Sequence, residues 1–291
     1  MDRRLIIPII FFGVTLLVGL LLIPQKLWSR PLRWVVYYGS DLAPAGLHRI
    51  DFAILEPGNI NPGSWPVRPV STRLIGYLSL GEVHRSRAYW SQLQEKGCLL
   101  QENPRWPGAF AMDIRCETWR RIILEELIPQ MVSQGYQGLF LDTVDVPLEQ
   151  ERADPEHFSG AREALIQLVV QMHMRYPDLE IYPNNALELL DDSVWASAIS
   201  GVVVEDLYTR YDFEASHVVS TPTKVMSQKE VLLDRFKVRW RKNVMVILYG
   251  DGPAVSESSP VARFAISRAR QKRYNWYFTT VDLMSLGITA H

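Results

Sequence analysis

From residue 34 onward the chain alternates two hydrophobic patterns. The first is a short apolar run closed by a carboxylate, an asparagine, a glycine or a proline. It recurs as WVVYYG (34–39), DFAILEPG (51–58), LIGYLSLGE (74–82), GLFLD (138–142), LEIYPNN (179–185), GVVVED (201–206), VMVILYGDG (244–252) and YNWYFTT (274–280). Runs of this length between turn signals predict strands buried on both faces. The second pattern has apolar residues at helical spacing. It occupies 86–94, 118–134, 161–176, 186–198, 227–241 and 260–272, with Gly135 and Pro177 as stops after two of these segments. Strands and helices that alternate eight times over residues 31–291 predict an α/β fold, a closed (β/α)8 TIM barrel. An open doubly wound sheet has less support, because no G-x-G-x-x-G follows the first strand. Residues 148–157 are charge-rich and predict a solvated loop above the barrel.

Ahead of this body the pattern is different. Residues 5–23 carry no charge, with Thr15 as the one side chain that interrupts the apolar run. At ~1.5 Å per residue they are just long enough for a hydrocarbon core of ~30 Å. The run continues into PQKLWSRPLRW without a small-x-small cleavage site, and Trp28 and Lys26 suit a membrane boundary. Residues 1–30 therefore predict a cytoplasmic tip, a single transmembrane helix and a linker. The barrel at 31–291 is then membrane-tethered and extracytoplasmic.

The carboxyl ends of barrel strands share one face, and function is placed there. The predicted ends carry Asp41, Glu56, Glu82, Asp142, Asp145, Asn184, Asn185, Glu205, Asp206 and Asp251, with Tyr38, Tyr77, Tyr182, Tyr208, Tyr249 and Tyr277 among them. Net charge is only −1, so the acidic bias belongs to this rim and not to the protein as a whole. Such a rim suits a polyhydroxylated or cationic ligand. It argues against phosphate or nucleic-acid backbone, which needs basic side chains or glycine-rich loops. The nine tryptophans and twelve tyrosines fit a large core, or platforms in a sugar-binding groove.

No H-E-x-x-H, G-x-S-x-G or P-loop is present, and none of the six histidines has metal-ligand spacing. No metal or cofactor is expected. What remains is chemistry by paired carboxylates, of which glycoside hydrolysis is the commonest. By position the best pair is Asp142 on strand four and Glu205 on strand six. Glu205 leaves an apolar wall of three valines, which should raise its pKa and suits an acid. From spacing alone the two could equally be strand-end carboxylates that accept loop amides. Cys98 and Cys116 could pair outside the cytoplasm or stay as thiols, and spacing does not decide.

The segments YLSLGE (77–82), ENPRWPG (102–108), MDIR (112–115), GLFLDTVD (138–145), PNN (183–185) and VVVED (202–206) together resemble glycoside hydrolase family 114, the endo-α-1,4-polygalactosaminidase-like barrels. The resemblance implies a metal-independent TIM-barrel hydrolase, often secreted or tethered. It implies Asp142 as nucleophile or base and Glu205 as acid/base. Glu82, Asp113, Asp145 and Asn184 fall in matching motifs and are expected to bind substrate or support the site. Tyr38, Tyr77, Tyr182 and Tyr249 are the expected aromatic contacts, although WVVYYG stands where a tryptophan-rich signature is more usual. The leading expectation is a membrane-anchored hydrolase of α-linked, galactosamine-rich extracellular polysaccharide. The alternative is a barrel that binds glycan for an export or modification system without cleaving it. The polysaccharide and the membrane are the expected partners, and protein partners are left open by the sequence.

Overall fold

The computed structural model describes residues 31–67, 69, 71–251 and 258–289. The transmembrane helix expected over 5–23 lies outside the described residues. Among the described residues no helix is long and apolar enough to cross a membrane.

Eight barrel strands follow in chain order: β1 Trp34–Tyr37, β2 Phe52–Leu55, β3 Arg73–Ser79, β4 Gly138–Asp142, β5 Glu180–Pro183, β6 Gly201–Val204, β7 Asn243–Tyr249 and β8 Asn275–Thr279. Each pairs in parallel with its sequence neighbour from β1 to β5 and again from β6 to β8. A single parallel bridge between Asn184 and Val203 joins the two halves. Closure between β8 and β1 uses side chains and the chain end. Tyr277 donates its hydroxyl to the Val36 carbonyl at 3.1 Å, and the Trp34 amide donates to Thr289 Oγ1 at 2.8 Å. Residues Ile288–Thr289 run antiparallel to β8 at this seam.

The strands are mostly buried because helices coat them, as expected for a parallel sheet, with exposure found chiefly at their ends. Ala161–Arg175 lays Leu165, Ile166, Leu168, Val169 and Met172 against the barrel. Pro260–Lys272 starts where Ser259 caps the Ala262 amide and Pro260 presets the first turn. Gly135 stops the third-strand helix in the left-handed region (φ 94°). That helix is not continuous as predicted: a π turn at Ile123–Leu127 separates Glu117–Ile122 from Ile128–Gln134. Pro129 has no N–H to continue the α-pattern, so the ladder widens there.

Three further features depart from the predicted pattern. The third strand ends at Ser79, and Glu82 opens a separate short strand. That strand belongs to an antiparallel sheet of Glu82–His84, Ala109–Met112 and Leu99–Glu102 inserted before the next helix. A hairpin of Thr209–Asp212 and His217–Ser220 is inserted after β6. The charge-rich segment 148–157 is mostly not a loop: Val146–Ala153 is helical and buries Pro147, Leu148 and Gln150. Its charges sit on the outer face of a two-turn amphipathic helix, too short to show a period in the sequence.

A Cys98–Cys116 disulfide ties the inserted sheet to the start of Glu117–Ile122. It closes a loop with a sequence separation of 18. On the chain-entropy argument, replacing both cysteines by serine should cost about 3 kcal/mol. Denaturant titration of the variant against the oxidised parent checks this; equal midpoints would mean the loop is already constrained without the bond.

Candidate active site

β4, β5 and β6 end side by side, and each ends in a polar residue followed by left-handed backbone. Asp142 precedes Thr143 (φ 55°), Asn184 precedes Asn185 and Ala186 (φ 60° and 51°), and Glu205 precedes Asp206 (φ 54°). Such backbone in side chains other than glycine is unfavourable and concentrates where function fixes it. Local bonds hold it here. Thr143 Oγ1 accepts the Gly81 amide at 2.8 Å, and Asn185 Oδ1 accepts the Glu205 amide at 3.1 Å. A Cβ on Gly81 would lie 2.2 Å from the Thr143 carbonyl oxygen, so this position admits only glycine. Lys229 Nζ, from helix Thr223–Trp240, donates to the Glu205 and Asp206 carbonyls at 3.3 and 3.2 Å.

These turns bring Asp142 and Glu205 to one amide. Asn184 Nδ2 donates to Asp142 Oδ1 at 2.9 Å and to Glu205 Oε1 at 3.1 Å. The two hydrogens of a planar NH2 diverge, so the bridged oxygens lie about 5 Å apart. Asn184 is 4% exposed, and its Oδ1 has no hydrogen-bond partner. Tyr77 donates its hydroxyl to Asp142 Oδ2 at 2.9 Å, so both oxygens of Asp142 accept a hydrogen bond. Tyr249 hydrogen-bonds Glu205. Tyr38 packs edge-on against Tyr77, with ring centroids 5.0 Å apart.

Burial is the first cause of every resolved shift among the carboxyls of this cluster. It raises Glu205, with the charges of Asp142 and then Asp206 adding to it. It carries Asp145 up to about 6, again with Asp142 adding. Glu82 and Asp206 are raised too, the latter against the pull of Lys229 and Arg210. Lys229 is lowered by its burial, against the opposing pull of Asp206, Asp145 and Glu205. Tyr38, Tyr77 and Tyr249 are all raised well above their usual value by burial, which keeps them as neutral donors. Burial thus favours the protonated form of Glu205 beside a second carboxyl, an arrangement of the kind acid–base chemistry uses.

The expected site residues therefore separate. Asp142, Glu205, Asn184, Tyr38, Tyr77 and Tyr249 come together. Glu82 lies at the margin, bound by Asn103 Nδ2 at 2.8 Å, and Asp145 immediately precedes helix Val146–Ala153 without a side-chain bond to its first turn. Tyr182 does not join them. It is buried among barrel side chains, edge-on to Phe52, and donates to Glu180 at 2.5 Å beside Arg73, at the amino ends of the strands. Asp113 does not either: Arg115 clasps it through two bonds of 2.8 and 2.9 Å and also bonds the His157 and Ser159 carbonyls. The rim is also less acidic than the strand ends suggested. Arg87 neutralises Glu56 through two 3.0 Å bonds, Asp41 accepts from Tyr37, and Asp251 accepts the Val218 amide at 2.6 Å.

Lys229, Arg87 and Asn103 are the functional neighbours that the sequence did not point to. Asn103 stands in the ENPRWPG segment, but Lys229 and Arg87 follow no motif. Among the described residues no group of three or more His, Cys, Asp or Glu is arranged to hold a metal ion.

The profile of glycoside-hydrolase family GH114 matches residues 66–291. An uncharacterised protein of Deinococcus radiodurans is 28% identical over 246 residues, which span 77% of this chain and 76% of that protein. The glycoside hydrolase domain of PelA from Pseudomonas aeruginosa is similar in structure, with a TM-score of 0.73 at 25% identity over 89% of this chain and 98% of that one. Ega3 of Aspergillus fumigatus, in complex with galactosamine, gives a TM-score of 0.67 at 16% identity over 90% and 97%.

Proposed function

The chain belongs to glycoside-hydrolase family GH114 and is a glycoside hydrolase, and we propose that it cleaves an α-linked, galactosamine-rich polysaccharide by paired-carboxylate chemistry. The observation that carries the mechanism is the Asn184 amide shared between Asp142 and Glu205. A separation of about 5 Å between carboxyl oxygens belongs to retaining enzymes, because an inverting pair must leave room for water. Asp142, hydrogen-bonded by Tyr77 and Asn184, attacks the anomeric carbon. Glu205, protonated through its raised pKa, gives its proton to the departing glycosidic oxygen. In the second step the Glu205 carboxylate takes a proton from water as that water displaces Asp142. The sugar leaves with its α configuration restored.

The substrate class is supported by charge. Asp142, Asp145, Asp206, Glu82 and Glu205 act on one another electrostatically, and five carboxyls meet two cations among the described residues, Lys229 and, at Asp206, Arg210. An amino sugar supplies the missing positive charge, and galactosamine is the sugar bound in Ega3. The disulfide supports a barrel in an oxidising compartment, in keeping with a membrane anchor over residues 5–23.

Incubation with a partly N-acetylated α-1,4-galactosamine polymer should release reducing ends, with the α-anomer first by proton NMR. Release of the β-anomer first would overturn the two-step mechanism. No release at all would remove the substrate assignment.

A further inference from the structure

Two inserted elements, from different strands, each present an exposed aromatic ring, and the rings meet. Trp106 (54% exposed) stands on the turn of the sheet inserted after β3, and Phe213 (46% exposed) on the tip of the hairpin inserted after β6. Their ring centroids are 6.0 Å apart, edge to face. Tyr211 lies 5.1 Å from Phe213, also edge to face, and the Arg105 guanidinium sits 5.7 Å from the centre of the Phe213 ring.

Both tips are braced by local hydrogen bonds. The Trp106 turn is flanked by Pro104 and Pro107 and closed by Ala109 N–H to Trp106 O at 3.0 Å and Arg105 N–H to Asn103 Oδ1 at 2.9 Å. In the hairpin, Asp212 Oδ1 accepts the Glu214 and Ala215 amides, each at 3.1 Å. Rings held out in water on pre-ordered turns lose little freedom when a ligand stacks on them. Nothing in core packing requires them there.

Both elements are also rooted at the candidate active site. Asn103, three residues before Trp106, bonds Glu82, whose carboxyl feels the charge of Asp142. Three residues of chain reach at most about 10 Å, which sets how far Trp106 can stand from Asn103. Thr209, at the base of the hairpin, accepts the Tyr249 amide at 2.7 Å, and the charge of Arg210, three residues before Phe213, opposes the burial that raises Asp206. A polymer held across Asp142 and Glu205 extends past its cleaved bond on either side.

We propose that Trp106 and Phe213 form a distal subsite that stacks one pyranose unit of the polysaccharide, remote from the scissile bond. The occupant is a sugar because its axial C–H face is apolar and its edge is polar, which matches ring faces bordered by a guanidinium. This rests on the polysaccharide reading of the active site, and the test separates the two.

The probe is an α-1,4-linked hexasaccharide of galactosamine and N-acetylgalactosamine, bound to the full chain carrying Glu205→Gln and followed by calorimetry. Adding Trp106→Ala should weaken its Kd about tenfold, ~1.4 kcal/mol. Phe213→Ala should weaken it by less, and Trp106→Tyr should keep most of the affinity. Free galactosamine should lose nothing with Trp106→Ala, since it does not reach the platform. An unchanged hexasaccharide Kd in both alanine variants, equal weakening for galactosamine, or no binding before the platform is altered would each overturn the proposal. Hydrolysis by the wild-type chain is measured separately: Trp106-dependent binding without turnover would sink the functional reading and leave the subsite standing.

Discussion

Asp142→Asn is expected to lower kcat/KM on the polysaccharide by on the order of 10⁴-fold or more, with little change in fold stability. The asparagine fits the same space and keeps an oxygen to accept from Tyr77 or Asn184, so the bond network shown by those 2.9 Å contacts largely persists. What is lost is the charge that attacks the anomeric carbon, and no other group in the cluster is placed to replace it. The loss should extend to aryl glycosides with good leaving groups, because attack fails whatever departs. Azide added to Asp142→Ala, where the side chain leaves a gap, should restore turnover of such a glycoside and form the β-glycosyl azide. Wild-type turnover in Asp142→Asn, or an α-azide from Asp142→Ala, would remove the nucleophile assignment. The substitution carries a second signature. The Asp142 charge is one cause of the raised Glu205 pKa, so Glu205 should titrate lower in Asp142→Asn by carbon NMR.

Glu205→Gln should cost about 10²–10⁴-fold on the polysaccharide, the range of general acid–base catalysis. The loss in the first step should shrink on a dinitrophenyl glycoside, whose leaving group needs no proton. Deglycosylation then limits the rate, and azide with Glu205→Ala should give the α-glycosyl azide, the anomer opposite to that from Asp142→Ala. Equal losses on poor and good leaving groups would contradict an acid role. The pH profile follows from the same carboxyl. Activity requires Glu205 protonated, so kcat/KM should fall as pH rises through its raised pKa, and the alkaline limb should vanish in Glu205→Gln. The stability effect has a definite sign as well. A carboxyl raised in the folded state favours folding below its unfolded pKa, ~4.3, and that contribution is lost as pH rises through the folded value. Above it the ionised, buried Glu205 is a burden, which glutamine removes. Glu205→Gln should therefore melt higher than wild type at alkaline pH, by roughly 2–4 °C for each ~1 kcal/mol relieved, and no higher near pH 4.

Part of this site was legible in local pattern and part was not. Asp142 and Glu205 each close an apolar run, and a run buried on both faces can end in a charge only where it meets solvent. Their rim positions follow from that. Tyr182 also sits in such a run, yet its hydroxyl turns to Glu180, two residues back on the same face. Alternation places a side chain inside or outside a barrel but not towards one end of it. Glu56 and Asp251 occupy strand ends as good as that of Asp142, but Arg87 pairs with the first and the Val218 amide bonds the second. Those partners stand 31 and 33 residues away, beyond any window of spacing.

The order of the eight strands, their parallel pairing and the stops at Gly135 and Pro177 are thus matters of sequence alone, because period, propensity and turn chemistry act over a few residues. Which carboxyls come together is a matter of tertiary structure. It depends on three left-handed turns that aim Asp142, Asn184 and Glu205 at one another, and on Lys229 arriving from a distant helix to hold the last of them. The inserted sheet and hairpin belong to the same class. Their strands are short and only part-buried, so they leave little hydrophobic period, and only the folded chain brings Trp106 to Phe213.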